Sequence, residues 1–382
     1  MTQREEQAFR DAFEQRTQQL PPTRISPPFA PRRDWGPLIA VAAIVALIVG
    51  GVAVIATERQ PPAETAGSTA GNGDTGDTGG TGGALPRAAS GWKWVSNRGA
   101  AVQVPVSWAW GQWPDGGSCG SSGPGAPKIA PGPFVALDDT FTSVAAVGCA
   151  RPGTQAPPAG FPPQTSPARW QPAVRFHPVG DRTASYAGWT LLAKPVGVTG
   201  VSVIVPSSEH ALGQRILDSA RTFSIDQNGC PATSPVASAG KVRPPAGQRT
   251  PSGPPRSASI CQYARAARDV TPGLIGSRRL DATQATALAA AIQAAPQGPG
   301  PDYPGDCLNP TAGNQALLLR MRYADGSVDS FVYVDSCVGN GIDDGRSVRQ
   351  ITAADCRPLY AQPPIRLSAA HGGIFQRCVA AG

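Results

Sequence analysis

The chain carries three histidines, His177, His210 and His371, far apart and in unlike contexts. An imidazole works as a general base only when a partner holds it against the proton it takes, and no spacing here supplies one. Gly116-Gly117-Ser118-Cys119-Gly120 matches the letters of G-x-S-x-G. It follows Trp113-Pro114-Asp115-Gly116 rather than a strand running into a helix, and Ser118 adjoins a cysteine expected in a disulfide. Asp138-Asp139 and Asp343-Asp344 are adjacent acids of the kind a calcium site or a glycosidase would use. Asp343-Asp344-Gly345 reads instead as a turn former. No Walker loop, no G-x-G-x-x-G in a βαβ frame and no H-E-x-x-H occurs. No cofactor, metal or catalytic residue is therefore expected. An envelope hydrolase using Asp138, Asp139 or His177 stands as the alternative.

The cysteines give a firmer reading. Cys119, Cys149, Cys230, Cys261, Cys307, Cys337, Cys356 and Cys378 all fall at or beyond residue 119, with no C-x-x-C for zinc or thiol exchange. Structural disulfides fit best, and they persist in an oxidising compartment. Eight cysteines allow 105 connectivities. Sequential pairing, 119–149, 230–261, 307–337 and 356–378, is the expectation.

That compartment has an independent source. Leu38–Ala56 is an uncharged apolar run of 19 residues, long enough as a helix to span a hydrocarbon core of about 30 Å. Trp35 sits at its entry and Pro37 at a first helical position. Arg24, Arg32 and Arg33 precede it and only Arg59 follows closely, which by the positive-inside rule places the N-terminus in the cytoplasm. The region before the core and the core itself are both too long for a cleaved signal peptide, so an uncleaved anchor is expected. Ala42, Ala46 and Gly50 form a small-residue stripe on which two such helices would approach as a homodimer.

Gly 45 and Pro 41 among 382 residues exceed the globular share, yet 41% hydrophobic residues are too many for a disordered chain. The excess gathers in spacers. The expected fold is a single transmembrane helix plus two small disulfide-containing α+β extracytoplasmic modules. Residues 1–34 form a cytoplasmic segment whose short helix shows Phe9 and Phe13 to a cytoplasmic regulator. Residues 35–57 are the transmembrane helix and 57–90 a Gly-rich tether. Residues 91–230 form a Trp-rich, β-rich module, 231–257 a Pro-rich connector, and 258–382 a second α+β module.

In the first module, Val102, Val104, Val106, Trp108 and Trp110 alternate as one strand, and a helix is expected from Glu209 to Phe223. Strands are also expected at Phe134–Leu137, Val144–Val147, Trp189–Ala193 and Val201–Val205. Every tryptophan but Trp35 lies here, and a β-rich core is favoured over an aromatic surface for glycan or peptide. In the second, Asp281/Gln284 and Thr352/Asp355 read as capping boxes. Gln315–Tyr323 and Ser327–Ser336 read as a hairpin about a type I′ turn at Asp325-Gly326. Ser259–Ala264, Leu274–Leu280 and Arg346–Ile351 complete the strands. Net charge is +7, but beyond residue 90 Arg278-Arg279 is the only adjacent basic pair, so scattered surface charge is expected and nucleic acid is not implied. A basic outer surface would instead favour anionic wall polymers or phospholipid headgroups.

The strings GWKWVSNRGAAVQVPVSWAWG, ILDSARTFSIDQNGCP, SICQYA, SRRLDATQATALAAAI and LLLRMRYADGSV resemble membrane-anchored ectodomain proteins of high-GC actinobacteria, a group with no established activity. The resemblance covers most of the region after the tether and transfers no site residue. Encoding of some relatives near extracytoplasmic-function sigma factors implies a regulatory role for the N-terminal FRDAFEQRTQQL segment. The chain lacks the His-x-x-x-Cys-x-x-Cys of anti-sigma domains. The functional expectation is an envelope binding or sensing protein whose partners are the lipid bilayer and an envelope ligand or protein; a purely structural envelope role is a further alternative.

Overall fold

The computed structural model describes residues 83–113, 132–137, 157–162, 166–240, 242–245, 253–266, 271–308, 313–367 and 372–380. Phe9, Phe13, the Leu38–Ala56 run, Ser118, Cys119, Asp138, Asp139, Cys149, the Val144–Val147 strand and His371 lie outside these residues. Among the described residues no helix is long and apolar enough to cross a membrane.

The first hairpin joins β1 (Trp92–Asn97) to β2 (Ala100–Pro105), with Asn97 opposite Ala100. Arg98 and Gly99, at φ 44° and 79°, make the type I′ turn that suits the right-handed twist of paired strands. β2 ends at Pro105, and Val106 is exposed. Proline offers no N–H to continue a ladder, so the alternation through Trp110 is not one strand. Trp110 belongs instead to β3 (Ala109–Gly111), which joins β4 (Phe134–Ala136), β5 (Ala173–Phe176), β6 (Arg182–Tyr186), β7 (Trp189–Val196) and β8 (Thr199–Pro206). That sheet has the order β3-β4-β5-β8-β7-β6, parallel from β3 to β5 and antiparallel beyond.

The helix expected over Glu209–Phe223 is shorter, spanning His210–Asp218 after a 3-10 turn at Ser207–Glu209. Ser219 Oγ takes the Ile216 carbonyl at 2.6 Å, and Arg221–Thr222 then becomes β9, paired with Ala100 and Ala101. A Cβ on Gly213 would come within 2.9 Å of Val205, so glycine lets this helix settle on the sheet. Its Ile216 and Leu217 meet Val102, Val104, Val201, Val203 and Val205 in one apolar cluster. On the opposite side of the sheet Phe161 stacks on Trp170 at 5.3 Å, and Trp189 meets Trp170 edge-on at 5.8 Å. Trp94, Trp108, Trp113 and Trp170 are buried, so most of the described tryptophans are core.

The second six-stranded sheet comprises β10 (Ser257–Ala264), β11 (Gly273–Leu280), β12 (Gln315–Arg322), β13 (Val328–Asp335), β14 (Ile342–Asp343) and β15 (Val348–Arg349). It is antiparallel in the order β11-β10-β12-β13-β14-β15. Arg346–Ile351 thus yields only a two-residue strand. The β12–β13 turn is not type I′. Gly326 sits at φ 81° but Asp325 is not left-handed, and the bonds from Gly326 N to Tyr323 O and Tyr323 N to Ser327 O make a type I turn closed by a glycine bulge. Both capping boxes form, starting helices at Ala282–Ala294 and Ala353–Tyr360. Their Leu288, Ile292 and Leu359 pack on Leu317, Leu319 and Met321.

The other face of this sheet is covered by the first hairpin. Trp94, Ala101 and Phe223 share a cluster with Tyr263, Leu274, Ala316 and Val332, and residues Thr75–Gly382 form one compact unit. Two segments expected as spacers take part. Leu85 N bonds Ile225 O at 3.2 Å, so the tether is already docked by residue 85. Val236 and Ala237 are buried, and Arg243 grips Asp343 at 2.7 and 2.9 Å, so part of the Pro-rich connector is fastened to the sheet. Apolar residues within both segments give them surface to bury. Disulfides join Cys230 to Cys261, Cys307 to Cys337 and Cys356 to Cys378.

Asp335, at the end of β13, is 1% exposed. Burial pushes its carboxyl from 3.8 up to about 8, Asp306 adds to the shift, and the Tyr333 hydroxyl opposes it. The folded state then holds a proton that the unfolded chain releases. Stability from this group is therefore full below about pH 4 and falls as pH rises to about 8, with the slope of a single released proton. Urea titrations across that window should show Asp335→Asn flattening the slope by that amount; an unchanged slope would refute the assignment.

Candidate functional site

Among the described residues, those that the sequence offers for chemistry lie apart. His177 Nε2 lies 2.9 Å from Ser202 Oγ. Ser202 is only 2% exposed on the central strand β8, where a nucleophile would meet no substrate. His210 is exposed at the start of its helix. Asp343 is engaged by Arg243, and its Oδ1 also accepts from Gly345 N at 2.8 Å. Asp344 accepts from Arg346 N at 2.8 Å and Ser347 N at 2.6 Å, so the pair shapes a turn as its Gly345 neighbour implies. Burial pushes the Asp344 carboxyl up, but those backbone donors, the Ser347 hydroxyl and the Arg349 charge together hold it below its ordinary range. Among the described residues no group of three or more His, Cys, Asp or Glu is placed to hold a metal.

What the structure does assemble is a cleft. β1 and β11 are edge strands of different sheets. They meet at one end, where Arg98 N donates to Leu274 O at 2.5 Å and Arg98 Nε to Thr271 O at 2.9 Å. A buried carboxylate, Asp226, ties the junction. It accepts from Ser96 Oγ at 3.2 Å on β1, from Ser277 Oγ on β11, and from the backbone N–H groups of Asn228 and Cys230 at 3.0 and 2.8 Å. Burial pushes the Asp226 carboxyl up while those donors pull it down.

Beyond that junction the strands part around a cleft of about 680 Å³. One wall is β1 with Trp92, Lys93 and Trp94, backed by Trp110 and by Arg87 from the docked end of the tether. The other wall is Ser277, Arg278 and Arg279 of β11, with Gln362 and Pro364 beyond the Ala353–Tyr360 helix; Gln227 and Asn228 lie between. Four cationic side chains line it, with no carboxylate and no imidazole among the described lining residues. Lys93 Nζ donates to the carbonyls of Val106 and Trp108 at 3.2 and 2.5 Å, and burial lowers its pKa. Arg278 Nη2 donates to Pro358 O, its Nε is buried without a hydrogen-bond partner, and burial lowers its pKa as well. Arg279 is exposed, reaching Ser257 Oγ at 3.3 Å.

The indoles are fixed from behind. Arg215 lies 4.1 Å from the Trp92 ring centre and Arg221 5.1 Å from that of Trp94, whose Nε1 donates to Pro86 O at 2.8 Å. Trp92 and Trp110 are half-buried and Trp94 nearly closed off. The lining comes from segments near residues 85–96, 110, 227, 278 and 362, so local pattern could not assemble it. Its one local signal, the Arg278-Arg279 pair, reads in isolation as surface charge.

No protein-family model matches the chain, and no curated protein and no solved structure matches it.

Proposed function

We propose that this is a binding protein of a cell envelope, anchored by Leu38–Ala56 and presenting the β1/β11 cleft on the outer side of the membrane. The observation that carries the reading is the cleft itself. Concave sites with aromatic walls and a few directed polar groups are where ligands settle, and this one gathers cations and indoles without an acid–base pair. The disulfides support an oxidising compartment. Full-length chain in nanodiscs should co-sediment saturably with isolated envelope material. A bulky maleimide on Arg87→Cys should abolish that retention, because Arg87 lies on the rim. Retention unaffected by the label would move the site elsewhere.

In the same reading Phe9 and Phe13 dock into a groove of a cytoplasmic regulator. Deleting residues 1–20 should abolish capture of a cytosolic partner while leaving envelope binding unchanged; capture that survives the deletion would refute it.

A further inference from the structure

Resting on that reading, we infer that the cleft binds an anionic carbohydrate, sugar rings lying on Trp92 and Trp110 with their phosphate or carboxylate groups held by Arg278, Arg279 and Arg87. Three observations converge. The charge of the described lining is of one sign, and the buried carboxylate of Asp226, next in sequence to the lining Gln227, is occupied by four protein donors, among them Ser96 and Ser277. Arg278 is anchored through Nη2 with a buried, unanswered Nε, so its charge is partly desolvated and gains most from an anion. Trp92 and Trp110 are half-buried, resting partly on the valine cluster, and both line the cleft, where the accessible part of each indole suits a flat apolar partner.

A sugar ring offers such a face together with hydroxyls that Gln227 and Gln362 can meet. Leu85 and Val95 are the only aliphatic branched residues among the described lining residues, too few to receive an acyl chain or the side chains of an apolar peptide. Phosphate and carboxylate share the chemistry that guanidinium groups read, so the experiment separates them.

The test is calorimetric titration of the full-length chain in nanodiscs with oligogalacturonate, phosphorylated mannan, neutral mannan, polyglutamate and polyphosphate. At least one charged glycan should bind at least about tenfold more tightly than neutral mannan and than either sugar-free polyanion. Which charged glycan binds assigns carboxylate or phosphate. Arg279→Gln and Arg87→Gln, both at exposed side chains, should each weaken binding and shallow its salt dependence. Trp110→Ala should weaken it with the salt dependence intact, and its melting curve checks the fold. Equal binding of neutral mannan, polyglutamate or polyphosphate, or wild-type affinity in both arginine variants, would overturn the inference. If no glycan binds while envelope co-sedimentation persists, the ligand class is wrong and the binding reading survives.

Discussion

Replacing Asp226 with alanine should cost about 4 kcal/mol of stability and release the hinge end of the cleft. The side chain is 4% exposed and accepts from Ser96 on β1, Ser277 on β11 and two backbone N–H groups of its own loop. Alanine leaves those donors buried without an acceptor, and each orphaned group costs about 1–3 kcal/mol. Some of that is recovered by water entering from the cleft, so the sum is less than four full penalties. Asp226→Asn keeps one acceptor oxygen and should recover about half. Urea unfolding measures both variants. An alanine variant within about 1 kcal/mol of wild type would show that the junction is held by apolar packing alone.

Removing the Cys230–Cys261 disulfide by double alanine substitution should have an effect of similar size. The bond closes a 31-residue separation, for which chain entropy alone gives about 3–4 kcal/mol. Both cysteines are fully buried in the cluster where Trp94 and Phe223 meet Tyr263 and Leu274. The loss should therefore exceed that from Cys307–Cys337, whose Cys307 is exposed. The bond also fixes the loop carrying Asp226, so the two losses should be less than additive. Double-mutant analysis by urea unfolding checks this, and full additivity would mean that the disulfide and the carboxylate act on separate parts of the fold.

Much of the secondary structure is legible locally. Asp281/Gln284 and Thr352/Asp355 begin helices because their side chains satisfy N–H groups within three residues, a relation the sequence displays directly. Strand ends are less so. Pro105 stops β2 although the alternation continues, and Arg221–Thr222 leave the helical pattern because β2 offers them a pairing partner. The turn at Asp325-Gly326 has the letters of type I′, while the turns with two left-handed residues, Arg98-Gly99 and Ala187-Gly188, open on an arginine and an alanine that propensity disfavours there. Long-range pairing decides such positions. The cleft is the extreme case: Arg87, Trp92, Asn228, Arg278 and Gln362 become neighbours only when two sheets pack through Trp94 and Tyr263.

The central claim is that β1 and β11 are the two walls of one ligand site. Hydrogen–deuterium exchange on the full-length chain in nanodiscs, with and without solubilised envelope material, tests it most directly. Concerted protection of Trp92–Ser96 and Ser277–Arg279, lost on Arg279→Gln, is the predicted result. Protection confined to another surface, such as the Tyr186–Trp189 turn, or no protection of either cleft wall at saturation, would contradict it.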